Sequence, residues 1–371
     1  MENANVNVDV GFVDFVESAS TEQNNNEINP SVTTDSDKED VTVQNGPESA
    51  EQNDNEIITL EDELREIFSK FSKNFNVVHI NAQSISAHYL SLLATFVNLH
   101  NIDAVLVSET FLKDSMDTNV GDMPGFQLIR NDRKDKGCGG VAIYLRKELH
   151  YEIVDKSPNR YTMSAEHLFI EVIHEETKIL LGVFYSPSSK IYYFSTFEDL
   201  LKKYRNNYEH YDILGDFNTD LLKRNSRRKK LLSIIDGQNL HLLPLGPTHF
   251  APGFAPSILD LIIVTDFANV AKYGQLGSYF SYHDLIYVSN KLNFSRKRIP
   301  IEIVASGTKE EPFWQKPSVR RALAEQLKGL KIYKESDRGE NDLKAYQKSR
   351  EQIKQLETEF KRENRKNQKG Q

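Results

Sequence analysis

Between residues 74 and 294 short apolar runs follow one another, separated by turn-forming residues. Phe75–Ile80, Ala104–Val107, Gly140–Leu145, Leu168–Ile173, Ile179–Tyr185, Tyr211–Gly215, Leu259–Val264 and Asp284–Val288 are too short for helices and rich in Val, Ile and Leu, the pattern of buried strands. Helical spacing appears only at Tyr89–Leu99 and Phe197–Arg205 within this stretch. Many strands with few helices between them predict a layered α/β sandwich rather than a doubly wound parallel sheet.

Charge divides the chain into three parts. Residues 1–66 carry 18 acidic side chains against Lys38 and Arg65, whereas residues 296–371 carry 20 basic and 12 acidic ones. The middle is balanced. Residues 1–60, rich in Asn, Ser, Thr, Asp and Glu with Phe12 and Phe15 as isolated aromatics, are expected to form a disordered acidic arm, because they hold too little apolar surface to offset the entropy of ordering. Residues 74–294 are the expected folded domain. Residues 295–371 read as a basic helical tail. Its stretches Arg320–Leu330 and Leu343–Arg365 are charged, Ile353, Leu356 and Phe360 make a thin apolar stripe, and weak packing is expected. One Cys, at 138, excludes a disulfide framework and a Cys-based zinc site and suits a reducing compartment. No apolar run reaches the ~18 residues of a membrane span. The start Met1-Glu2-Asn3 lacks a secretory layout, so export is not expected. Neither G-x-x-x-x-G-K nor G-x-G-x-x-G occurs, so a nucleotide cofactor is not expected.

Polar side chains end one apolar run after another: Asn81, Glu109, Tyr185, Asp216 with Asn218, Asp260 and His283. Each alone is as readily a turn or cap residue. Together they suit metal-assisted phosphodiester hydrolysis. A hard cation such as Mg2+ takes carboxylate and amide oxygens, which Glu109 and Asn81 supply without Cys or a His cluster. Asp216 can orient or deprotonate a water and Asn218 can hold the phosphate. Tyr185 and His283 can face developing charge, with Asp260 fixing the His283 tautomer.

The spacing of these residues also resembles a known family. Ile80-Asn-Ala-Gln-Ser84, Ser108-Glu-Thr110, Gly215-Asp-Phe-Asn218, Ser257-x-x-Asp260 and Ser281-x-His283 occur in the order found in the endonuclease/exonuclease/phosphatase superfamily. Gly125-Phe126, Arg130-Asn-Asp-Arg133 and Gly139-Gly-Val-Ala-Ile-Tyr144 are similar to the apurinic-type endonuclease domain of jockey-like, non-LTR (LINE-type) retrotransposons. The resemblance implies a four-layer sandwich of two packed mixed sheets flanked by helices. It implies metal binding by Asn81 and Glu109, with Mg2+ as cofactor and Mn2+ as a substitute. It also implies phosphate contacts from Tyr185 and His283, nucleophile activation by Asp216 and Asn218, and orientation of His283 by Asp260. Double-stranded DNA is the implied partner and the nucleus the implied location; the sequence names no protein partner for the acidic arm.

Two positions depart from the family pattern. Tyr282 stands where the family has an Asp before its His, with Asp284 two residues on as a possible substitute on the same face. Gln83 replaces an Asp of repair enzymes, which favours the retroelement branch. The rival expectation is a DNA-binding or interaction protein that kept the fold with weakened chemistry, for which Tyr282 is the main support. The basic run Lys223–Lys230 reads equally as a phosphate grip, an import signal or a solvated face, and His249 as structural rather than a contact. The tail resembles a linker to a reverse transcriptase, of which no Tyr-x-Asp-Asp motif is present.

Overall fold

Among the described residues, twelve strands make two six-stranded mixed sheets. In chain order they are β1 (Phe75–Asn81), β2 (Ala104–Ser108), β3 (Phe126–Asn131), β4 (Val141–Arg146), β5 (His150–Lys156), β6 (Glu166–His174), β7 (Thr177–Tyr185), β8 (His210–Asp216), β9 (His241–Leu242), β10 (Asp260–Val264), β11 (Val270–Leu276) and β12 (Leu285–Asn290). One sheet runs β11-β12-β1-β2-β4-β3 and the other β5-β6-β7-β8-β10-β9. The helices are α1 (Leu60–Ser69), α2 (Tyr89–Phe96), α3 (Tyr193–Tyr204), α4 (Ser226–Gly237), α5 (Pro317–Glu335) and α6 (Glu340–Lys369). This computed structural model describes residues 58–117, 120–134, 137–160, 164–174, 176–187, 193–293, 313–336 and 339–369. They belong to the compact unit Asp54–Gln371. The expected acidic arm lies outside the described residues except for its last three positions.

Alternation along the strands creates the layers. Val77, Leu106 and Ile143 of the first sheet pack with Leu181, Val183, Leu214 and Ile262 of the second in one buried cluster. The opposite face of the first sheet, including Val78, Ile80, Val105 and Val107, is covered by Leu64 and Phe68 of α1, Leu92 and Phe96 of α2, and Leu323 and Leu327 of α5. Phe169, Phe184 and Ile213 on the far face of the second sheet meet Phe197 and Leu201 of α3 and Leu231 and Ile235 of α4. The result is the four-layer α/β sandwich expected. Burial of each such side chain contributes about 1.5–3 kcal/mol relative to exposure.

Two elements differ from the sequence reading. The helix α1 starts at Leu60, at the end of the segment assigned to the arm. A capping box between Thr59 and Asp62 satisfies its first backbone donors, and Leu60, Leu64 and Phe68 form one buried stripe. The tail also packs more tightly than its charge suggests. Val319, Leu323, Leu327 and Leu330 of α5 are buried, Phe313 and Phe360 bring their ring centroids within 4.5 Å, and the Gln326 amide donates to the Tyr279 carbonyl. Lys and Arg between these apolar positions mask the stripe in the sequence, but they point outward on a helix.

Far from the polar strand ends, Asp212 of β8 bridges the sheets by accepting a 2.6 Å bond from the Asn290 amide of β12. Burial raises its carboxyl from 3.8 to about 7, against the pull of that bond. The folded state therefore binds the extra proton between these two values, and Asp212 costs stability as pH rises through that window. Asp212→Asn keeps the acceptor and removes the charge. The variant should melt on the order of a few degrees above the wild type at pH 8, with the gap closing near pH 4, in parallel thermal melts.

Candidate active site

Strand direction decides where the polar ends meet. β1 and β2 are parallel neighbours paired at Asn81 and Ser108, so Asn81 and Glu109 leave the first sheet side by side. β7 and β8 are parallel neighbours with Tyr185 opposite Asp216. β10 runs antiparallel to β8 and begins with Asp260 opposite Asp216. β12 runs antiparallel to β1, which places His283, two residues before its start, at the same rim. The packed sheets thus deliver all seven candidate side chains to one edge.

There they form a bonded cluster. The Asn81 amide donates to Glu109 Oε1 at 3.1 Å and to Asp216 Oδ2 at 2.9 Å. The Tyr185 phenol lies near enough to the Glu109 carboxylate for that charge to oppose its ionisation. Asn218 donates its backbone N–H to Asp216 Oδ1 at 2.9 Å and its side-chain amide to the Ser186 carbonyl at 2.8 Å. His283 Nδ1 lies 2.8 Å from Asp260 Oδ2. Glu109 and Asn218 both sit in the left-handed region, with φ of 53° and 45°. Such backbone is disfavoured for residues with a Cβ, and its use at two site positions marks where the loops are bent to aim a side chain. Gly215 has a different reason: a Cβ there would run into the Phe184 carbonyl, so the strand before Asp216 needs glycine.

Burial and charge oppose each other here. Burial, together with Asp260 and Glu109, raises Asp216 to about 7 against the pull of His283 and the Asn218 N–H. The Asp260 carboxyl resists burial and is held below its ordinary value by His283, His79 and Thr248. Burial depresses the His283 imidazolium, but Asp260, Asp216 and Glu109 outweigh it and raise its value from 6.5 to about 9. Burial, with Glu109 and Asp216 adding to it, likewise raises the Tyr185 phenol, which stays protonated. Three carboxylates around one imidazolium leave excess negative charge in a buried place, and the donors are oxygens. That environment fits a hard divalent cation. Asn81 and Glu109 can hold one; Asp216, Asp260 and His283, whose ligand atoms all lie within 4.8 Å of one another, are a second group that can.

Several supporting residues are not evident from the sequence. Thr248 Oγ1 accepts from the Asp260 N–H at 3.0 Å, and Ser281 Oγ donates to the Asn81 carbonyl at 2.6 Å while accepting from the His283 N–H. His79, inside the apolar run of β1, bonds Ser108 Oγ through Nε2 and sits with Nδ1 3.9 Å from Asp260. Burial keeps it neutral at physiological pH, with a value near 4. The His249 ring lies 4.5 Å from that of His283, at an interplanar angle of 48°, with Nδ1 3.4 Å from Ser257 Oγ. Part of the basic run is structural. Arg227 is buried against Thr219 and the Phe217 carbonyl, and Lys230 pairs with Glu198, while Lys223, Arg224 and Lys229 are exposed.

Tyr282 does not join the cluster. Its ring faces the Arg350 guanidinium of α6 at 4.7 Å and packs beside Leu330, Tyr333 and Tyr346. Asp284 is no substitute for the missing acid: one oxygen accepts from Gln275 at 3.0 Å and the other pairs with Lys334 of α5.

No protein-family model and no curated protein sequence matches the chain. Solved structures do. The AP endonuclease LMAP from Leishmania major is 14% identical, with 60% of this chain and 90% of that one aligned at a TM-score of 0.50. The endonuclease domain of TRAS1, a telomere-specific non-LTR retrotransposon, is 16% identical over 59% of this chain and all of that one, at a TM-score of 0.45. An endonuclease/exonuclease/phosphatase family protein from Leptotrichia buccalis is 15% identical over 59% of this chain and 100% of its own, at 0.44. Identities this low speak for the fold alone, and that fold is shared with the AP endonuclease LMAP.

The electrostatic account of His283 is testable without substrate. In Asp260→Asn the carboxylate that most strongly favours its imidazolium is gone. An NMR titration should then place His283 at or below its ordinary 6.5, against about 9 in the wild type.

Proposed function

We propose that the protein is a Mg2+-dependent endonuclease of the retrotransposon type, which nicks double-stranded DNA and leaves a 3′-hydroxyl. The observation that carries this reading is the single bonded cluster joining Asn81, Glu109, Asp216 and Asn218, with Tyr185 and the Asp260–His283 pair beside it. In this reading the oxygen of a water attacks phosphorus, the bond from phosphorus to the 3′-oxygen breaks, that oxygen takes a proton from solvent, and the phosphate stays on the 5′ end. Asp216 takes the proton of the water, and Asn218, held by Ser186, keeps the phosphate in line. The His283 imidazolium, oriented by Asp260, and the protonated Tyr185 face the charge gathering on the phosphate oxygens. Asn81 and Glu109 would hold the cation, which supplies Lewis-acid neutralisation of that charge. Mn2+ is the proposed substitute and the nucleus the proposed place of action.

A second reading, a DNA-binding protein with weakened chemistry, draws on one observation: Tyr282 is committed to Arg350 and Asp284 to Lys334, so the acid usual before the His has no replacement.

The two readings separate in a supercoiled-plasmid nicking assay. Nicking should need Mg2+, stop with EDTA, and fall roughly 10²–10⁴-fold in Glu109→Ala and Asp216→Ala. Folded protein that binds DNA without nicking would favour the second reading. The working charge state, Asp216 ionised and His283 protonated, predicts a rate that falls above about pH 9. Its acid limb should lie at or below about 7, since a bound cation lowers the Asp216 value. Tyr282→Asp is expected to give no gain, because a carboxylate there would pair with Arg350.

A further inference from the structure

The stretch Arg130–Arg133 and the glycines at 139 and 140 take no part in the chemistry above, yet their side chains and backbone are bonded to one another at the same rim. Arg130 holds Asp132 and the carbonyls of Lys113 and Asp117. The Asn131 amide donates to Ser157 and to the His167 carbonyl, which ties β3 of one sheet to β6 of the other. Arg133 and Glu166 form a buried ion pair: Arg133 Nε donates to Glu166 Oε1 at 2.7 Å, and its guanidinium also donates to the Cys138 carbonyl. The other Glu166 oxygen accepts from the Gly140 N–H at 2.6 Å. Gly139, at φ 91°, lies so close under the guanidinium that a Cβ would collide with it.

This assembly grips Glu109 from both sides. The Thr110 and Phe111 N–H groups, immediately after Glu109, donate to the carbonyls of Gly140 and Gly139 at 3.2 and 2.9 Å. On β6, Glu166 is the direct strand partner of Tyr185, whose phenol lies within the influence of the Glu109 charge. The pair therefore braces the backbone that bends Glu109 into its left-handed conformation and the strand that brings Tyr185 to it. A buried ion pair is weak evidence for stability, because desolvation of both ions offsets most of their attraction. Its use is better sought in geometry.

We propose that Arg133 and Glu166 are positioning residues of this site, acting through the Cys138–Gly140 backbone and β6 to set the Glu109 carboxylate and the Tyr185 hydroxyl for a divalent cation. The inference rests on the function proposed above. Support residues behind ligands typically change metal affinity or activity 10–100-fold, and the same range is expected here.

The test is Mn2+ binding to the 371-residue chain without DNA, followed by electron paramagnetic resonance of the free ion, with a thermal melt of each variant. Glu166→Gln keeps the acceptor for Gly140 but loses the charge, and Arg133→Met removes the partner. Each should weaken Mn2+ binding about 10–100-fold. Each also leaves one buried charge unpaired and should melt lower. The double variant removes both charges, so it should regain much of the melting temperature while Mn2+ binding stays weak. In nicking assays the Mg2+ requirement should rise with the KM for DNA unchanged. Wild-type Mn2+ affinity in the folded single variants would overturn the inference. So would recovery of binding in the double variant in step with its stability. Failure of the wild type itself to bind Mn2+, with Glu109→Ala no different, would instead overturn the function on which the inference rests.

Discussion

Two buried carboxylates, a half-buried third and a buried imidazole meet at one rim of the sandwich, and much of the surrounding architecture holds them there. Ions taken out of water cost several kcal/mol each unless they are paired and fully hydrogen-bonded. Asp216 and Asp260 face each other across adjacent strands, and Glu109 adds a third charge nearby. The arrangement survives because each group is tied to a strand or to its neighbour: Asp260 to His283 and Thr248, Asp216 to Asn81 and Asn218, Glu109 to Asn81. What these bonds leave unneutralised is the reason a divalent cation belongs in the account.

The C-terminal helices belong to the same account. They cover the outer face of the first sheet and grip the segment that carries His283 at three points: Gln326 at the Tyr279 carbonyl, Arg350 at the Phe280 carbonyl and the Tyr282 ring, and Lys334 at Asp284. A tail whose charge suggests a solvated linker is thus structurally continuous with the domain. Tyr282 is explained by what it touches. Its ring packs beside Leu330 and Tyr333 of α5 and Tyr346 of α6, against the Arg350 guanidinium.

The buried strands were legible because both faces are covered, which writes them as unbroken Val, Ile and Leu runs. β5 and β11 were not, since they lie at sheet edges with half-exposed patterns that merge into polar loops. The helix α4 was hidden by its own Lys and Arg, although Leu231, Ile234 and Ile235 give it a buried stripe. At the site, each polar strand end could be read singly. Their convergence depends on strand order and direction, which apolar periodicity does not encode; motif order supplied it through the family resemblance. The role of His79 is hidden because an imidazole inside an apolar run reads as core, and the roles of Arg133 and Glu166 appear only when strands β3 and β6 lie beside the Glu109 loop.

The central claim is that Asn81 and Glu109 form the cation site within this cluster. The most direct measurement is a crystal soaked in Mn2+, with the anomalous signal of the metal located in a difference map. The account predicts a peak at coordination distance from the Glu109 carboxylate, about 2–2.2 Å, with the Asn81 amide oxygen turned toward it. A peak seated instead among Asp216, Asp260 and His283, or none at saturating Mn2+, would contradict it.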